Sequence, residues 1–272
     1  MKILSIDPGI KNLAICIIEI INDEYNIVKW EILNLCDDEI ICTCNNENDS
    51  KCLNAAIYKK NSEYFCKVHK KQKKYKIPPR ELKNIKQKNV FDVLQFVKKN
   101  NIHYDKSTSK TKLLESIEKH FIDHLQLITY KKATDMNLVE LGINLKKRID
   151  KLIETHTIDV IIIENQIGPL AARMKSIQSM LSQYFIMNDM LNIEFINASN
   201  KLKLFSSQKL NYSERKKKGT EITKLLINKQ NHTSWKTKFN KSKKKDDLAD
   251  CFLQAIWYLA NKGIINTDQY IL

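Results

Sequence analysis

The amino-acid sequence predicts an α/β fold: a mixed sheet flanked by helices and interrupted by a mostly helical inserted module. Residues 2–35 contain three apolar runs separated by turn signals, a pattern typical of an antiparallel meander. Residues 136–265 alternate between helical and strand periodicity, as in an α/β core. Between these parts lies a polar, lysine-rich segment with clustered cysteines. We therefore predict one core domain that is formed by residues 1–35 and 123–272.

The first three predicted strands are bounded by residues that interrupt β-structure. The first apolar run, residues 3–6, ends at Asp7, which is followed by a Pro-Gly pair. The second run, residues 13–18, is joined by an Asn-Asp turn sequence to the third, residues 25–35. An acidic residue therefore stands at the end of the first strand.

The second half of the chain predicts strands that alternate with helices. Four consecutive β-branched residues at 160–163 predict a buried strand, and residues 193–196 predict another. Apolar residues at helical spacing predict a long helix over 138–152 and a closing helix over 248–259. Further helices are predicted at residues 90–97, 113–121, 171–187 and 222–227.

The positive charge of the chain is concentrated in two segments. The formal net charge is +15, from 46 Lys and Arg against 31 Asp and Glu. Residues 67–90 carry a net charge of +9 and residues 215–245 carry +11, so the rest of the chain is slightly acidic. Concentrated basic segments of this kind favour a polyanionic partner such as nucleic acid. Because nearly all of these residues are lysines, we expect contacts with phosphates more than recognition of bases.

Several classes of protein are excluded by composition. No apolar run approaches the roughly 18 residues of a membrane span. The seven cysteines are an odd number, and the apolar strand that begins at Ile3 leaves no room for a signal or transit peptide, so a disulfide framework is not expected. We expect an intracellular protein with no membrane partner and no small-molecule substrate.

Four carboxylates stand where the apolar pattern stops or starts. Asp7 follows the first strand, Glu164 follows the strand at 160–163, and Asp247 and Asp250 open the last helix on one face. If they converge, they need cations, and hard oxygen ligands suit Mg²⁺ or Mn²⁺. Taken singly, Asp7 is typical of a turn, and Asp246 with Asp247 is typical of a helix N-terminus.

Three segments carry a recognisable pattern: Ser5-Ile6-Asp7-Pro8-Gly9 with Asn12, Ile162-Ile163-Glu164-Asn165-Gln166, and Lys244-Lys245-Asp246-Asp247-Leu248-Ala249-Asp250. In this order they resemble the motifs of RuvC-like Holliday junction resolvases. The resemblance is closest to the poxvirus-type resolvases of large DNA viruses and their mitochondrial fungal relatives. Residues 174–185 and 197–203 support it.

The resemblance implies a ribonuclease H-like fold and a Mg²⁺-dependent homodimer. Such an enzyme resolves four-way DNA junctions by paired symmetric nicks, in recombination and in the processing of branched replication intermediates. Asp7, Glu164, Asp247 and Asp250 match the four catalytic carboxylates of the family. Two Mg²⁺ or Mn²⁺ ions per site would then stabilise the attacking and leaving oxygens of the phosphodiester.

Two other functions remain open from the sequence alone. One is a less selective ribonuclease H-like nuclease that acts on flaps, hybrids or other branched nucleic acid. The other is a DNA-binding scaffold whose carboxylates are structural. Lys244 and Lys245, which precede the last motif, either counter the charge of the scissile phosphate or belong to a solvated loop. The candidate DNA-binding residues of this basic segment are Arg215, Lys216, Lys217, Lys218, Lys243, Lys244 and Lys245.

The segment 36–88 is predicted to bind zinc. Cys44, Cys52, Cys66 and His69 follow the spacing C-x7-C-x13-C-x2-H, and Cys42 competes with Cys44 as the first ligand. Four available ligands favour one structural zinc ion per chain over a catalytic site. Scattered reduced thiols are the alternative. A basic linker completes the segment.

Residues 89–122 resemble a SAP module, which is a helix–extended loop–helix DNA binder. The residues that carry the resemblance are Phe91-Asp92-Val93-Leu94 and Thr108-Ser109-Lys110-Thr111-Lys112-Leu113-Leu114. Lys110 and Lys112 would then approach phosphate from the N-terminus of the second helix. A plain helical hairpin explains the same periodicity.

We expect the protein to be located at a viral replication site in host cytoplasm. The missing transit peptide disfavours a mitochondrial location.

Overall fold

The computed structural model describes residues 1–36, 40–72, 75–105, 109–167, 172–205, 210–229 and 233–266. The chain divides into two compact units. The first unit comprises Met1–Asp37 and Lys131–Leu272, and the second comprises Asp38–Tyr130. The insertion therefore interrupts the core domain once.

The described residues form eight strands and seven α-helices. The strands are β1 (Lys2–Asp7), β2 (Leu13–Ile21), β3 (Glu24–Leu33), β4 (Tyr58–Lys60), β5 (Glu63–Phe65), β6 (Gln126–Leu127), β7 (Val160–Asn165) and β8 (Ile193–Asn197). The helices are α1 (Val90–Lys99), α2 (Lys110–His120), α3 (Leu138–Ile153), α4 (Ala172–Met187), α5 (Tyr212–Lys229), α6 (Thr233–Lys241) and α7 (Lys245–Asn261).

The first unit is built on a mixed five-stranded sheet with the strand order β3-β2-β1-β7-β8. β1, β2 and β3 are antiparallel neighbours, whereas β7 and β8 run parallel to β1. The turn between β2 and β3 has positive φ at both Asn22 and Asp23, at 50° and 62°, as a tight hairpin requires. This sheet with its flanking helices confirms the predicted fold class, including the antiparallel meander.

Alternate residues of the strands face two separate hydrophobic layers. Ile3, Cys16 and Ile162 lie on the face that is covered by α5, α6 and α7, and they pack with Cys251 and Phe252 of α7. On the opposite face, residues of β1 and β2 pack against α3 and α4; they include Leu4, Ile6, Ile15, Ile17, Leu145, Ile149, Leu181 and Phe185. The sheet is thus buried between two helical layers.

The basic segment contains more helix than its apolar pattern predicted. The sequence predicted a short helix over 222–227, but α5 has 18 residues and is followed by α6. Only a narrow stripe of α5, which includes Ile222, Leu226 and Ile227, is buried, and most of the remaining helix surface is polar. A helix prediction that relies on a broad apolar face therefore detects only the part of α5 around residues 222–227.

The second unit contains a small sheet as well as helices. β4 pairs antiparallel with both β5 and β6, in the order β5-β4-β6. Because Gln126–Leu127 pairs with β4, the boundary between the units lies after Tyr130 and not after residue 122, as the sequence had suggested. Strands of two or three residues carry no measurable periodicity, which explains the expectation of a mostly helical insertion.

α1 and α2 form a helical hairpin with a hydrophobic core of its own. Val93, Phe96 and Val97 of α1 pack against Leu113 and Ile117 of α2. Each helix begins at a polar cap: the side chain of Asn89 accepts a hydrogen bond from the amide of Asp92, and that of Ser109 accepts one from Lys112. Thr108, which contributes to the SAP resemblance, lies outside the described residues.

In the part of the chain that is described, no helix is long and apolar enough to cross a membrane.

Candidate active site

The first two carboxylates lie at the ends of two neighbouring parallel strands, at the same edge of the sheet. Ile6 of β1 is in register with Ile163 of β7, and the next residues along the strands are Asp7 and Glu164. Since parallel strands end at the same side of a sheet, the two acidic side chains are brought together there. The sequence pattern located both strand ends correctly.

The other two carboxylates come from the start of α7. Asp247 and Asp250 lie one helical turn apart, and α7 packs across β1 and β2. Trp30 of β3 donates an indole hydrogen bond of 3.0 Å to the carbonyl of Leu248 and so fixes the first turn. Gln254 donates to the carbonyl oxygens of Ile6 and Ile162, at 3.3 and 3.4 Å. The helix is therefore tied to the two strands that end in Asp7 and Glu164.

A cavity of about 270 Å³ contains all four carboxylates. Besides Asp7, Glu164, Asp247 and Asp250, its lining includes Gln166, which follows Glu164 by two residues, and basic and polar groups from two other segments of the chain. These groups are Ser199, Lys201, Tyr212, Arg215 and Lys216. The structure thus joins residues that are up to 243 positions apart in the sequence into one acidic site with a basic wall.

Lys201 is the principal cation among these carboxylates. It follows β8 and a short 3₁₀ segment, and it is only 6% exposed. Its Nζ forms an ion pair with Glu164 and lies 3.2 Å from Asp250 Oδ2. Gln166 Nε2 also donates to Glu164 Oε1 at 3.3 Å, so that both oxygens of Glu164 are contacted. These contacts orient the Glu164 and Asp250 side chains.

The protonation equilibria reflect burial and crowding of like charges. Burial raises the pKa of Asp7 well above its ordinary value; Lys201 opposes this shift, and the neighbouring carboxylates reinforce it. Burial likewise raises the pKa of Asp247, with a further contribution from Asp246. For Lys201, burial alone would lower the pKa, but the charges of Asp7, Asp250 and Glu164 raise it. The site therefore disfavours four ionised carboxylates unless more positive charge is supplied.

The site fits a divalent cation by the chemistry of its donors. Asp247 Oδ2 is buried and accepts no hydrogen bond from any residue that the structure describes. The cations nearest to Asp247 are Lys216 and Lys244, each at 3.8 Å, which is too far for a hydrogen bond. A buried carboxylate oxygen of this kind requires a partner. Oxygen donors on two strands and one helix suit a hard metal ion.

The predicted DNA-binding residues of the basic segment divide into two groups. Arg215 and Lys216 lie in the first turns of α5 and line the cavity. Lys216 pairs with Asp246 at 2.5 Å and lies 3.8 Å from Asp247 Oδ1. Lys217, Lys218 and Lys243 are exposed and do not line the cavity, and Lys244 stands at the entrance to α7. Lys245 is the first residue of α7.

Sequence reasoning missed three residues of this site, namely Lys201, Gln166 and Tyr212. Lys201 lies in the segment 197–203, which supported the family resemblance, but a lone lysine after a strand carries no signal of its own. Gln166 follows Glu164 by two residues, and only the fold directs its side chain back to that carboxylate. Tyr212 opens α5, and the signal that could have located this helix start is the capping box of Asn211 and Glu214, whose side chains accept hydrogen bonds from each other's backbone amides.

A second cluster of potential ligands lies in the insertion. Cys42, Cys52, Cys66 and His69 are all buried, and their ligand atoms lie within 4.8 Å of one another. The structure thus places Cys42, and not Cys44, in this group, whereas Cys44 is partly buried beside it. Both cysteines precede the same turn, and spacing alone could not separate them. Cys16, Cys36 and Cys251 are buried in the two core layers of the first unit.

The two candidate lysines of the helical hairpin differ in their surroundings. Lys110 Nζ donates a hydrogen bond of 3.0 Å to the carbonyl of Lys86, which holds it against the preceding 3₁₀ segment. Lys112 is exposed at the start of α2. Of the two side chains, Lys112 is therefore the more exposed and Lys110 the more constrained.

Comparison with known proteins gives a family match and three individual relatives. Residues 116–262 match the model of the family described as "Poxvirus A22 protein". An uncharacterized protein of Acanthamoeba polyphaga mimivirus is 28% identical, over 95% of this chain and 74% of the relative.

Two solved structures also match the chain. The yeast mitochondrial Holliday junction resolvase Ydc2 is 16% identical, with a TM-score of 0.45, over 98% of this chain and 82% of that one. The fowlpox virus Holliday junction resolvase is 13% identical, with a TM-score of 0.43, over 96% of this chain and 99% of that one.

The family match covers most of the residues that build the cavity. Glu164, Lys201, Asp247 and Asp250 lie within the matched segment, and Asp7 precedes it. The match extends over more than half of the chain, so it confirms the resemblance to poxvirus-type proteins that the three motifs had indicated. The chain belongs to the poxvirus A22 protein family.

Proposed function

We propose that the protein is a Mg²⁺-dependent, structure-selective endodeoxyribonuclease that resolves four-way DNA junctions by paired symmetric nicks. The observation that carries this proposal is the convergence of four carboxylates in one cavity whose wall is basic. Membership in the poxvirus A22 family and the three resolvase-like motifs support the same activity.

Asp7, Glu164, Asp247 and Asp250 are the proposed catalytic residues, and they would hold two Mg²⁺ or Mn²⁺ ions. When bound, such ions supply Lewis-acid stabilisation to the attacking and leaving oxygens of a phosphodiester. Their positive charge would also offset the burial and the neighbouring carboxylates that together raise the pKa of Asp7. The buried Oδ2 of Asp247 would gain the partner that it needs.

Residues around the carboxylates orient them for this task. Lys201 and Gln166 contact opposite oxygens of Glu164, and Lys201 also holds Asp250. Trp30 and Gln254 fix α7 against the sheet. Because these supports are mostly buried, the separation between the strand carboxylates and the helix carboxylates is set by the core of the domain.

The start of α5 would receive the DNA backbone. Arg215 and Lys216 face the same cavity as the carboxylates, so a phosphate attracted to them lies close to the proposed metal ligands. Lys217, Lys218 and Lys243 extend the positive surface outside the cavity, and Lys244 and Lys245 lead into the metal ligands of α7. Contacts of this kind bind backbone without reading sequence.

Paired nicks require two active sites. Each chain carries one cavity with the four carboxylates within its described residues. A four-way junction presents two equivalent strands, so a symmetric homodimer would place one site on each. We therefore propose a homodimer as the active form, working on recombination and replication intermediates in an infected cell.

Incubation of the full chain with a labelled four-way junction and Mg²⁺ tests the proposal. We expect nicks at symmetric positions in opposed strands, ligatable products, and no cleavage by the Asp7→Asn variant. If flaps or RNA–DNA hybrids are cleaved as well as the four-way junction is, the protein is a nuclease of broader specificity and the proposal is wrong. Tight binding of the junction without cleavage would indicate a scaffold.

A further inference from the structure

The buried cluster of Cys42, Cys52, Cys66 and His69 lies in the insertion and takes no part in the proposed cleavage site. All four side chains are buried: Cys52 is 1% exposed, Cys66 2%, His69 3% and Cys42 5%. They come from a loop, a second loop and the residues just after β5.

The spacing of the ligand atoms agrees with a tetrahedral zinc site. Metal–sulfur bonds of about 2.3 Å hold two sulfurs about 3.8 Å apart, and a sulfur and an imidazole nitrogen about 3.6 Å apart. Cys52 Sγ and Cys66 Sγ are 3.9 Å apart. His69 Nδ1 lies 3.4 Å from Cys42 Sγ and 3.5 Å from Cys66 Sγ.

The same distances argue against a disulfide in this cluster. A disulfide joins two sulfurs at about 2.05 Å and uses two cysteines, leaving the third thiol and the imidazole unexplained. Here all four ligand atoms, three sulfurs and one nitrogen, lie within 4.8 Å of one another. Three thiolates and one imidazole form a closed set that leaves no open position for substrate.

Backbone hydrogen bonds hold the ligand-bearing segments together. The amide of Thr43 donates to the carbonyl of Tyr64 at 2.9 Å, and the amide of Tyr64 donates to Thr43 Oγ1 at 3.0 Å. This pairing brings Cys42 next to Cys66. The amide of Cys52 donates to the carbonyl of Cys44 at 3.0 Å, which closes the hairpin between the first two loops.

The cluster occupies a part of the insertion that has a small hydrophobic core. Among the described residues, the neighbouring core cluster has three buried members, Tyr58, Phe65 and Leu125. Small modules with so little buried apolar area commonly need a metal ion to fold. The helical hairpin, in contrast, has a larger core of its own.

We propose that Cys42, Cys52, Cys66 and the Nδ1 atom of His69 bind one structural Zn²⁺ ion that stabilises the small sheet of the insertion. Cys44 is not a ligand. This site is independent of the carboxylate cavity and of the nuclease activity proposed for it. Binding converts three thiols to thiolates and releases their protons to solvent.

The first test measures metal content in the full chain, purified under reducing conditions without chelator and dialysed against Mg²⁺. We expect about one zinc per chain, and the same value for Cys44→Ser. The Cys42→Ser variant is expected to lose zinc or to bind it much more weakly. Absence of zinc from the wild-type chain overturns the site, and zinc loss in Cys44→Ser with retention in Cys42→Ser overturns the ligand assignment.

A second measurement does not depend on whether the variants fold. Replacement of zinc by Co²⁺ in the wild-type chain should give the visible bands of tetrahedral cobalt and a charge-transfer intensity for three thiolates. Alkylation of the zinc-loaded protein should modify Cys44 first, and Cys42, Cys52 and Cys66 should react only after chelation. Protection of Cys44 together with ready alkylation of Cys42 contradicts the proposal, as does cobalt with an octahedral spectrum.

Discussion

The ammonium nitrogen of Lys201 lies 3.2 Å from Asp250 Oδ2 and also forms an ion pair with Glu164, so one buried lysine links the α7 carboxylates to the sheet. The lysine side chain is only 7% exposed. A buried cation in this position offsets part of the repulsion among the four carboxylates. It gives the protein a way to keep its acidic residues close before any metal ion is bound.

Replacement of Lys201 by Met should make the stability of the protein depend strongly on divalent metal. Without metal we expect a loss of about 3 kcal/mol in the free energy of unfolding, because removal of one partner leaves buried carboxylates uncompensated. Mg²⁺ should restore much of this loss, since it binds the folded state. Denaturant unfolding in EDTA and in Mg²⁺ measures both values. Lys203→Met, at an exposed position two residues away, is the matched control; equal losses in both variants would contradict the explanation.

The Asp7→Asn substitution should separate catalysis from stability. Since burial raises the pKa of Asp7, its ionised form destabilises the folded state at neutral pH. Removal of that charge should therefore raise the free energy of unfolding in EDTA. Cleavage of the junction in Mg²⁺ should fall at least about 100-fold with the loss of a metal ligand.

Thermal melts in EDTA and single-turnover cleavage in Mg²⁺ measure the two effects of Asp7→Asn. The exposed Asp135→Asn is the control, and it should change neither. Full activity in Asp7→Asn would remove this residue from the proposed catalytic group.

Arg215 should contribute to DNA binding through phosphate. The Arg215→Ala variant should weaken junction binding uniformly across sequences, and the slope of log affinity against log salt should become shallower by about 0.9 if one phosphate contact is lost. Fluorescence anisotropy over a range of salt concentrations gives the slope. Lys147→Ala, an exposed change on α3, serves as the control because α3 covers the other face of the sheet. An unchanged slope for Arg215→Ala would place the DNA elsewhere.

Gln254 should act as a positioning residue for α7. Its amide donates to Ser5 Oγ and to the carbonyl oxygens of Ile6 and Ile162, all within the buried core. Gln254→Met should lower the free energy of unfolding by about 1–3 kcal/mol, because a buried polar network loses its donor. If the geometry of the carboxylates depends on this contact, the Mg²⁺ concentration for half-maximal cleavage should also rise.

The Ser242→Ala variant is the control for Gln254→Met. Ser242 Oγ accepts a hydrogen bond from the amide of Lys244, in the loop before α7, and this contact does not involve the strands. We expect a small loss of stability and an unchanged Mg²⁺ requirement for this variant. An unchanged Mg²⁺ requirement in Gln254→Met would limit Gln254 to a purely structural role.

The sequence by itself determined the strands of the five-stranded sheet, the order of the motifs and the candidate carboxylates. The β-branched run that ends at Glu164 and the apolar run that ends at Asp7 have strong local signals, since strand alternation and turn residues are encoded over a few positions. The start of α7 is marked in the same way by the acids that precede its apolar stripe. These features needed no knowledge of distant contacts.

Only the tertiary structure decided which side chains complete each site. Lys201 joins the carboxylates because β8 and the 3₁₀ segment after it direct the chain back over the sheet, and no local pattern marks that return. Cys42 and Cys44 cannot be distinguished by their spacing in the sequence. In the structure, the backbone hydrogen bond between Thr43 and Tyr64 holds the segment that contains Cys42 beside Cys66, and Cys42 lies in the cluster. The choice rests on long-range backbone hydrogen bonds, which depend on the packing of the folded chain and not on the identity of neighbouring residues.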